Sequence, residues 1–395
     1  MMDSSPKKVL FHESYFSEFK GVQRVLYHFL QLLDRGLFQP LVVAPAEGIF
    51  ARKIRELDIE VLIIPLPPEL MRFGKAVLRD PLPRKGVSFL KLVPYIQTMA
   101  RLIRSHEVAI MYPSTVRSVL TNAWSAKLTG IPVVWPIRRM RYLGLPDQLA
   151  YLLSDVIIAS SEGARAAFCC HPPFKGSSKI FTIYDGLIMD EWHPDLDIRP
   201  IREEFGFSIK EMVVGTVASL VPRKGLDFFI EMALDVSPRF PDLRFIIVGD
   251  TPSGFPRTYE EQLRALAQPL VVDGRLVFAG WRDDLERMYA MMDIFVLPSL
   301  IDALPHTVLE AMVMRKPVVM TNMAGVEEAM IDGQTGYVVP PKDVPALTLA
   351  VERLLTDDNL RKRMGRAGRK RVMATFSHET TTRKTEQIFL KCLSK

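Results

Sequence analysis

The second half of the chain alternates short β-branched runs with stretches of helical periodicity, and this alternation restricts the fold more than any other feature. The runs are "MVVGTV" (212–217), "LRFIIVGD" (243–250), "RLVFAG" (275–280), "DIFVLPS" (293–299) and "KPVVMT" (316–321). Between them, "LDFFIEMAL", "YEEQLRALAQPL", "DDLERMYAMM" and "HTVLEAMVM" repeat apolar residues three and four apart, the spacing of one helix face. Apolar strands joined through helices of about ten residues form βαβ units, hence a parallel sheet with right-handed crossovers. The first half repeats the theme in "KKVLF", "PLVVAP", "IEVLIIPL", "EVAIMYP", "IPVVWP", "DVIIAS" and "KIFTIY". The polar, turn-rich "DGLIMDEWHPDLDIRP" (185–200) reads as the linker. The expected architecture is α/β, with two doubly wound domains facing each other across a cleft.

A chain of 395 residues exceeds one ordinary core and suits two domains of about 190 residues each. Its apolar share of 48%, spread evenly, excludes a disordered chain. No apolar run reaches the roughly 20 residues that span a bilayer. The start, "MMDSSPKKVLFHES", lacks the apolar core of a leader, so a soluble cytoplasmic protein is expected. Cys169, Cys170 and Cys392 provide neither a disulfide framework nor metal-ligand spacing.

The net charge of +6 is uneven. Residues 1–185 hold 24 Lys/Arg against 15 Asp/Glu, a balance of +9, and residues 186–395 hold 27 against 30, a balance of −3. No helix-turn-helix, zinc-finger or RNP pattern accompanies the basic half, so nucleic acid is not an expected partner. The two halves are instead expected to face different partners.

The stretch "LPSLIDALPHTVLEAMVMRKPVVM" (297–320) carries two carboxylates, Asp302 and Glu310, that a core segment does not need. Ligands of open α/β sheets bind beyond the carboxyl ends of the strands. Here "DIFVLPS" is the strand and "LIDAL" the loop. Pro305 is expected as the first helical residue, where its missing N–H costs nothing, with the helix running from His306 toward Arg315. Amides around Leu304, His306 and Thr307 would point out of the helix start and suit a phosphate. Glu310 follows one turn later, about 6 Å along the axis, a reach comparable to that from a diphosphate to its ribose. Asp302 would lie on the other side, where a transferred sugar would sit. The spacing describes a nucleotide-sugar site; the plain alternative is an exposed loop acid and a solvated helix acid.

These residues bring out a resemblance. "PSLIDALPHTVLEAMVMRKPVV" is similar to the "PS-x-x-E-x7-E-A" signature of retaining glycosyltransferases of family 4, the group 1 glycosyl transferases, which have the GT-B fold of two Rossmann-like domains. "IYDGLIMDEWHP", "GTVASLVPRKGLDFFIEMA", "FIIVGD", "VFAGWRDDLERMYAMMDIFVLPS" and "AGVEEAMIDGQTGYVVPPKD" resemble the family's successive segments in order. The match covers nearly all of residues 180–345, and the first domain matches mainly at "KGVQRVL" and "GIPVVWPIRRM". The resemblance implies an acceptor-binding domain over residues 1–187, a donor-binding domain over 188–375, and a final helix over 376–395 crossing back to the first. It implies that Glu310 binds the donor ribose, that Asp302 contacts the donor sugar and that Lys224 holds the diphosphate. The amides near Leu304 and His306 would assist. Gly21 would either admit backbone close to the diphosphate or be an ordinary turn glycine.

Four positions depart from the family pattern. The signature's first acid is Asp302, one methylene shorter. The loop arginine is Ser219, and Arg223 either supplies the lost charge or is a solvated loop residue. The first loop's glycine pair is reduced to Lys20-Gly21. The histidine often found after "GIPVV" is replaced by Trp135-Pro136-Ile137-Arg138-Arg139. Arg138 would either hold an acceptor phosphate or pair with a surface acid. His306 would touch the donor or stand exposed at the helix start. His12 and Glu13 would orient an acceptor hydroxyl, or cap or solvate a loop. Trp281 and Arg282 are expected to border the base pocket.

The expected reaction moves a glycosyl unit from a nucleoside diphosphate-sugar to a glycan or lipid-linked hydroxyl acceptor, with retention. The resemblance implies same-face attack, with the leaving phosphate taking the acceptor proton. No cofactor is expected, and no clustered His/Asp metal motif is read, so the transfer is expected to need no metal. The alternatives are a non-catalytic sugar-nucleotide or glycan binder and a GT-B phosphorylase or epimerase. Residues 71–92, "MRFGKAVLRDPLPRKGVSFLKL", hold six cations against one acid with interleaved apolar residues. They either dock the enzyme on an anionic membrane face or form a solvated loop and a packed helix.

Overall fold

The computed structural model describes residues 5–14, 19, 21–68, 82–252, 254–302, 304–323 and 326–394, with the backbone alone for 82–90. The chain divides into two compact units, Met1–Asp185 with His378–Lys395, and Gly186–Ser377. Both are parallel α/β structures, as the alternation of apolar runs and helices requires.

In the first unit, β1 (Lys7–His12), β2 (Phe38–Ala44), β3 (Glu60–Ile63) and β4 (Val108–Pro113) lie in the order β3-β2-β1-β4. A second set, β5 (Val134–Ile137), β6 (Val156–Ala159) and β7 (Ile180–Thr182), runs β5-β6-β7. A parallel bridge between Met111 and Val133 joins the two sets. The last helix, His378–Leu393, belongs to this unit through Phe389, which is fully buried. Its ring meets those of Phe11, Phe29, Phe38 and Tyr112 at centroid distances of 6.5, 6.1, 5.4 and 5.8 Å, edge to face, the arrangement the ring quadrupoles favour.

The second unit holds one sheet of β8 (Met212–Val217), β9 (Leu243–Val248), β10 (Leu276–Gly280), β11 (Ile294–Leu297), β12 (Val318–Thr321) and β13 (Gly336–Val339). Their order is β10-β9-β8-β11-β12-β13. The chain therefore fills one side of β8 and then returns to its other side, which creates a topological switch point at the carboxyl ends of β8 and β11. The strand "GYVV" (β13) is absent from the runs read off the sequence. It is short and only partly buried, so its apolar signal is weak.

The boundary between the units falls between Asp185 and Gly186, at the start of the stretch 185–200 read as the linker; within it Leu187, Ile188 and Trp192 are buried, and Trp192 lies against Tyr289 at 5.9 Å. Two expectations change. Pro305 is the N-cap, in an extended conformation, and the helix begins at His306. Gly21 opens the helix Gly21–Leu32 with φ of 24° rather than occupying a turn, and it is exposed with open space around it. Residues 71–81 of the basic segment lie outside the described residues, as do the side chains of 82–90; the backbone from Leu82 belongs to the helix Leu82–Ser105. No helix among the described residues is long and apolar enough to cross a membrane.

Truncating the aromatic anchor tests the return of the last helix. Phe389→Ala should destabilise the first unit by about 3–5 kcal/mol, read by urea unfolding. A loss below about 1 kcal/mol would mean that the helix is not integral to that core.

Candidate active site

The loops after β8 and β11 meet at the switch point. The first forms a single 3-10 turn, Pro222–Lys224, closed by Gly225 in the left-handed region at φ 62°. A Cβ at Gly225 would lie 2.2 Å from the carbonyl oxygen of Pro298, so only glycine lets the loop rest on the end of β11. The Leu300 amide donates to the Arg223 carbonyl at 2.8 Å and pins the two loops together. These backbone contacts turn Lys224 inward, where its side chain is 10% exposed.

Lys224 Nζ donates to Asp302 Oδ2 in an ion pair, and Arg223 Nη1 stands 4.0 Å from the same oxygen. The Arg223 side chain is half exposed. Asp302 thus has one cation in contact and a second within reach. Ser219 is half-buried, and its carbonyl accepts from the Val221 amide at 2.9 Å.

The helix His306–Val313 starts beside this pair without a side-chain cap, so its first amides lack intrahelical partners. Leu304 is buried, and His306 and Thr307 are partly exposed. Thr307 Oγ1 is buried without a hydrogen-bond partner among the described residues. Glu310 is not a solvated helix acid. It is 6% exposed and accepts a hydrogen bond from the Tyr289 hydroxyl at 2.7 Å. Tyr289 is itself buried, against Trp192 and Phe295, and was not singled out from the sequence. Its apolar neighbours in "RMYAMMDIF" mark it as core; only the fold brings it to Glu310, 21 positions away.

Other expected residues find structural partners. Arg282 pairs with Asp284 at 2.7 Å and donates to both oxygens of Glu204; these bonds hold its guanidinium well above the ordinary range. Trp281 is half exposed and donates to Asp283 at 3.1 Å. Arg138 donates to Asp185 at 2.8 Å and to the Tyr112 hydroxyl at 3.3 Å, all three within the first unit. Its partner acid is buried, not a surface acid.

His12 and Glu13 are fully buried, so neither solvates a loop. Glu13 accepts from the Ser114 hydroxyl at 2.6 Å. His12 Nε2 lies 3.3 Å from the Tyr95 hydroxyl, which donates to Asn122 at 3.0 Å. Burial pushes the His12 imidazole down to about 4. The sequence also holds one Asp-x-Asp triplet, Asp195-Leu196-Asp197. Its acids pair with Arg315 and Arg199, each at 2.7 Å. Among the described residues no group of three His, Cys, Asp or Glu could hold a metal ion.

Two Rossmann-like halves, the second with polar loops converging at its switch point, define the GT-B class. Residues 197–371 match the family model described as Glycosyl transferases group 1, so the chain carries a glycosyl transferases group 1 domain. It is 34% identical over 226 residues to a GDP-mannose-dependent alpha-(1-6)-phosphatidylinositol monomannoside mannosyltransferase of Mycolicibacterium smegmatis, covering 55% of this chain and 57% of the relative. It is 34% identical over 170 residues to the lipopolysaccharide core biosynthesis glycosyltransferase LpsE of Rhizobium meliloti, covering 43% of this chain and 47% of the relative. The chain thus spans about half the length of these curated relatives. The fold matches Anabaena HepE in complex with UDP and glucose, with TM-score 0.79, 21% identity and coverage of 97% and 99%. It also matches a glycosyltransferase from Rickettsia africae, with TM-score 0.82, 18% identity and coverage of 98% and 99%.

Two stability measurements check these environments. Tyr289→Phe removes a donor from a buried carboxylate and should cost about 1.5–3 kcal/mol; unchanged urea unfolding would show that this bond does not hold Glu310. For His12 the folded pKa lies below the unfolded value near 6.5, so its contribution is complete above pH 6.5. It should drain away as pH falls toward 4, by about 3 kcal/mol in all. His12→Gln should flatten that segment of the stability–pH curve, and an identical curve in the variant would contradict the burial argument.

Proposed function

We propose that the protein is a retaining glycosyltransferase that moves a sugar from a nucleoside diphosphate-sugar to a hydroxyl of a glycan or lipid-linked acceptor. The observation that supports this best is the convergence of Lys224, Asp302 and an uncapped helix start at one switch point, with Glu310 one turn further along that helix. These four features suit three parts of one ligand: Lys224 and the helix start the diphosphate, Asp302 the sugar and Glu310 the ribose.

In this reading the donor diphosphate replaces Asp302 as the partner of Lys224. Lys224, Arg223 and the amides of His306 and Thr307 receive the charge that grows as the glycosidic bond breaks. The freed Asp302 turns to the sugar hydroxyls. Glu310 accepts from the ribose diol, with the Tyr289 hydroxyl holding its other valence. The C1–O bond to the diphosphate breaks, the acceptor oxygen bonds to C1 on the same face, and the acceptor proton passes to the leaving phosphate oxygen. Lys224 and Arg223 take the charge-neutralising part, so no metal is assigned to the step and activity should survive EDTA. Relatives named for phosphatidylinositol monomannoside mannosyl transfer, lipopolysaccharide core biosynthesis and capsular polysaccharide biosynthesis support an acceptor of glycolipid or polysaccharide type.

One relative is named as GDP-mannose-dependent, and a structural neighbour is in complex with UDP, so the donor screen must include both bases. A thermal-shift panel of UDP-, GDP-, ADP- and TDP-sugars tests binding; a ligand at a hundred times its dissociation constant should add about 2.7 kcal/mol. Release of nucleoside diphosphate with acceptor present tests turnover, and binding without turnover would favour a non-catalytic binder.

Three variants divide the roles. Lys224→Ala should lower turnover more than about tenfold, because the charge it meets grows toward the transition state. Glu310→Ala should weaken donor binding by about 1.5–3 kcal/mol. Asp302→Ala should mainly lower turnover. Full activity in Lys224→Ala, or undiminished donor affinity in Glu310→Ala, would remove the assignment.

A further inference from the structure

A basic groove sits at the opposite end of the helix His306–Val313 from the proposed diphosphate position, about 12 Å along its axis. It is an open groove of about 520 Å³ lined by Arg315, Arg366, Arg369, Lys370, Met373 and Ala374. The described lining therefore holds four cations and no carboxylate.

The helix Asp358–Thr375 builds this wall by its periodicity. Met364, Gly365, Gly368 and Val372 form its buried face, while Arg366, Lys370 and Met373 recur at the spacing of one outward stripe. A Cβ at Gly365 would lie 2.0 Å from the Arg315 carbonyl oxygen, so the helix is drawn onto the turn that carries Arg315. Arg315 itself has φ of 58°, a conformation in which glycine would be the unstrained choice, yet the position carries a guanidinium.

Two of the four cations are held in place. Arg369 donates to the Val313 carbonyl, with the Trp192 carbonyl at 3.4 Å. Arg315 pairs with Asp195 at the rim, at 2.7 Å. Arg366 and Lys370 are exposed and make no ion pair among the described residues. Burial, and then the nearby Arg315, push the Arg369 guanidinium down, with Asp195 opposing them. Such a cluster is complete when its counter-ion arrives from outside, and a planar guanidinium matches phosphate oxygens two at a time.

We infer that this groove is a phosphate-binding site separate from the donor site. Arg315 and Arg369 supply oriented donors, Arg366 and Lys370 close over the remaining charge, and Met373 receives an apolar continuation of the ligand. The groove is open, and Met373 and Ala374 border it beside the cations, so the ligand this lining suits is a phosphate carried on a larger group, either a free solute or a lipid headgroup.

The test uses the full chain carrying Lys224→Ala, which silences the proposed diphosphate position. One arm titrates inorganic pyrophosphate by calorimetry at low salt. The other sediments the protein with phosphatidylglycerol vesicles and, as control, with phosphatidylcholine vesicles. Adding Arg366→Glu with Lys370→Glu should weaken whichever binding is present by about tenfold or more. Arg366→Gln with Lys370→Gln serves if the reversed charges prevent folding. Pyrophosphate binding lost in the variant supports a soluble ligand, and salt-sensitive vesicle binding lost in the variant supports a headgroup. Binding in neither arm, or binding that the groove variants leave unchanged, overturns the site.

Discussion

Every side chain of the candidate active site depends on the reversal of strand order at β8. With β9 on one side and β11 on the other, the loops leaving β8 and β11 emerge side by side at the carboxyl end of the sheet, where the Leu300 amide ties one to the Arg223 carbonyl of the other. Lys224 comes from one loop and Asp302 from the other, 78 positions apart in sequence. The close approach at Gly225 is what makes the two loops one site. A side chain there would meet the Pro298 carbonyl, lift the loop from the strand end and carry Lys224 away from Asp302.

The same unit shows how a buried Glu310 is accommodated. Removing a carboxylate from water is costly unless it is paired or hydrogen-bonded. Tyr289 meets part of that need from within the core, held by Trp192 and Phe295. One edge of Glu310 is thereby fixed by the protein, and a ligand hydroxyl can take the other. The segment after Asp185 contributes through Trp192, so a stretch that reads as linker is part of the support for the site.

The first unit resolves its polar residues differently. Arg138 donates through Nε to Asp185 and through Nη2 to the Tyr112 hydroxyl. His12, Tyr95 and Asn122 form a second enclosed set, with Glu13 turned to Ser114. Sequence position suggested ligand contact for His12, Glu13 and Arg138 because all three follow strands. Their partners lie between 26 and 101 positions away, so no local pattern announces that they are occupied.

The sequence by itself determined the parallel α/β class, the positions of the long-signal strands and the pairing of Asp302 with Glu310 around one helix start. Those features follow from local periodicity, from a proline before an apolar helix and from the eight-residue spacing of two acids. Only the tertiary structure decided that Lys224 sits on Asp302, that Tyr289 anchors Glu310, that His12 is sealed from solvent and that Arg315, Arg366, Arg369 and Lys370 share one groove. Each of these is a contact between elements distant in the chain, or depends on which helix face is covered. Strand order and helix packing settle such contacts, and neither is encoded in the spacing of neighbouring residues.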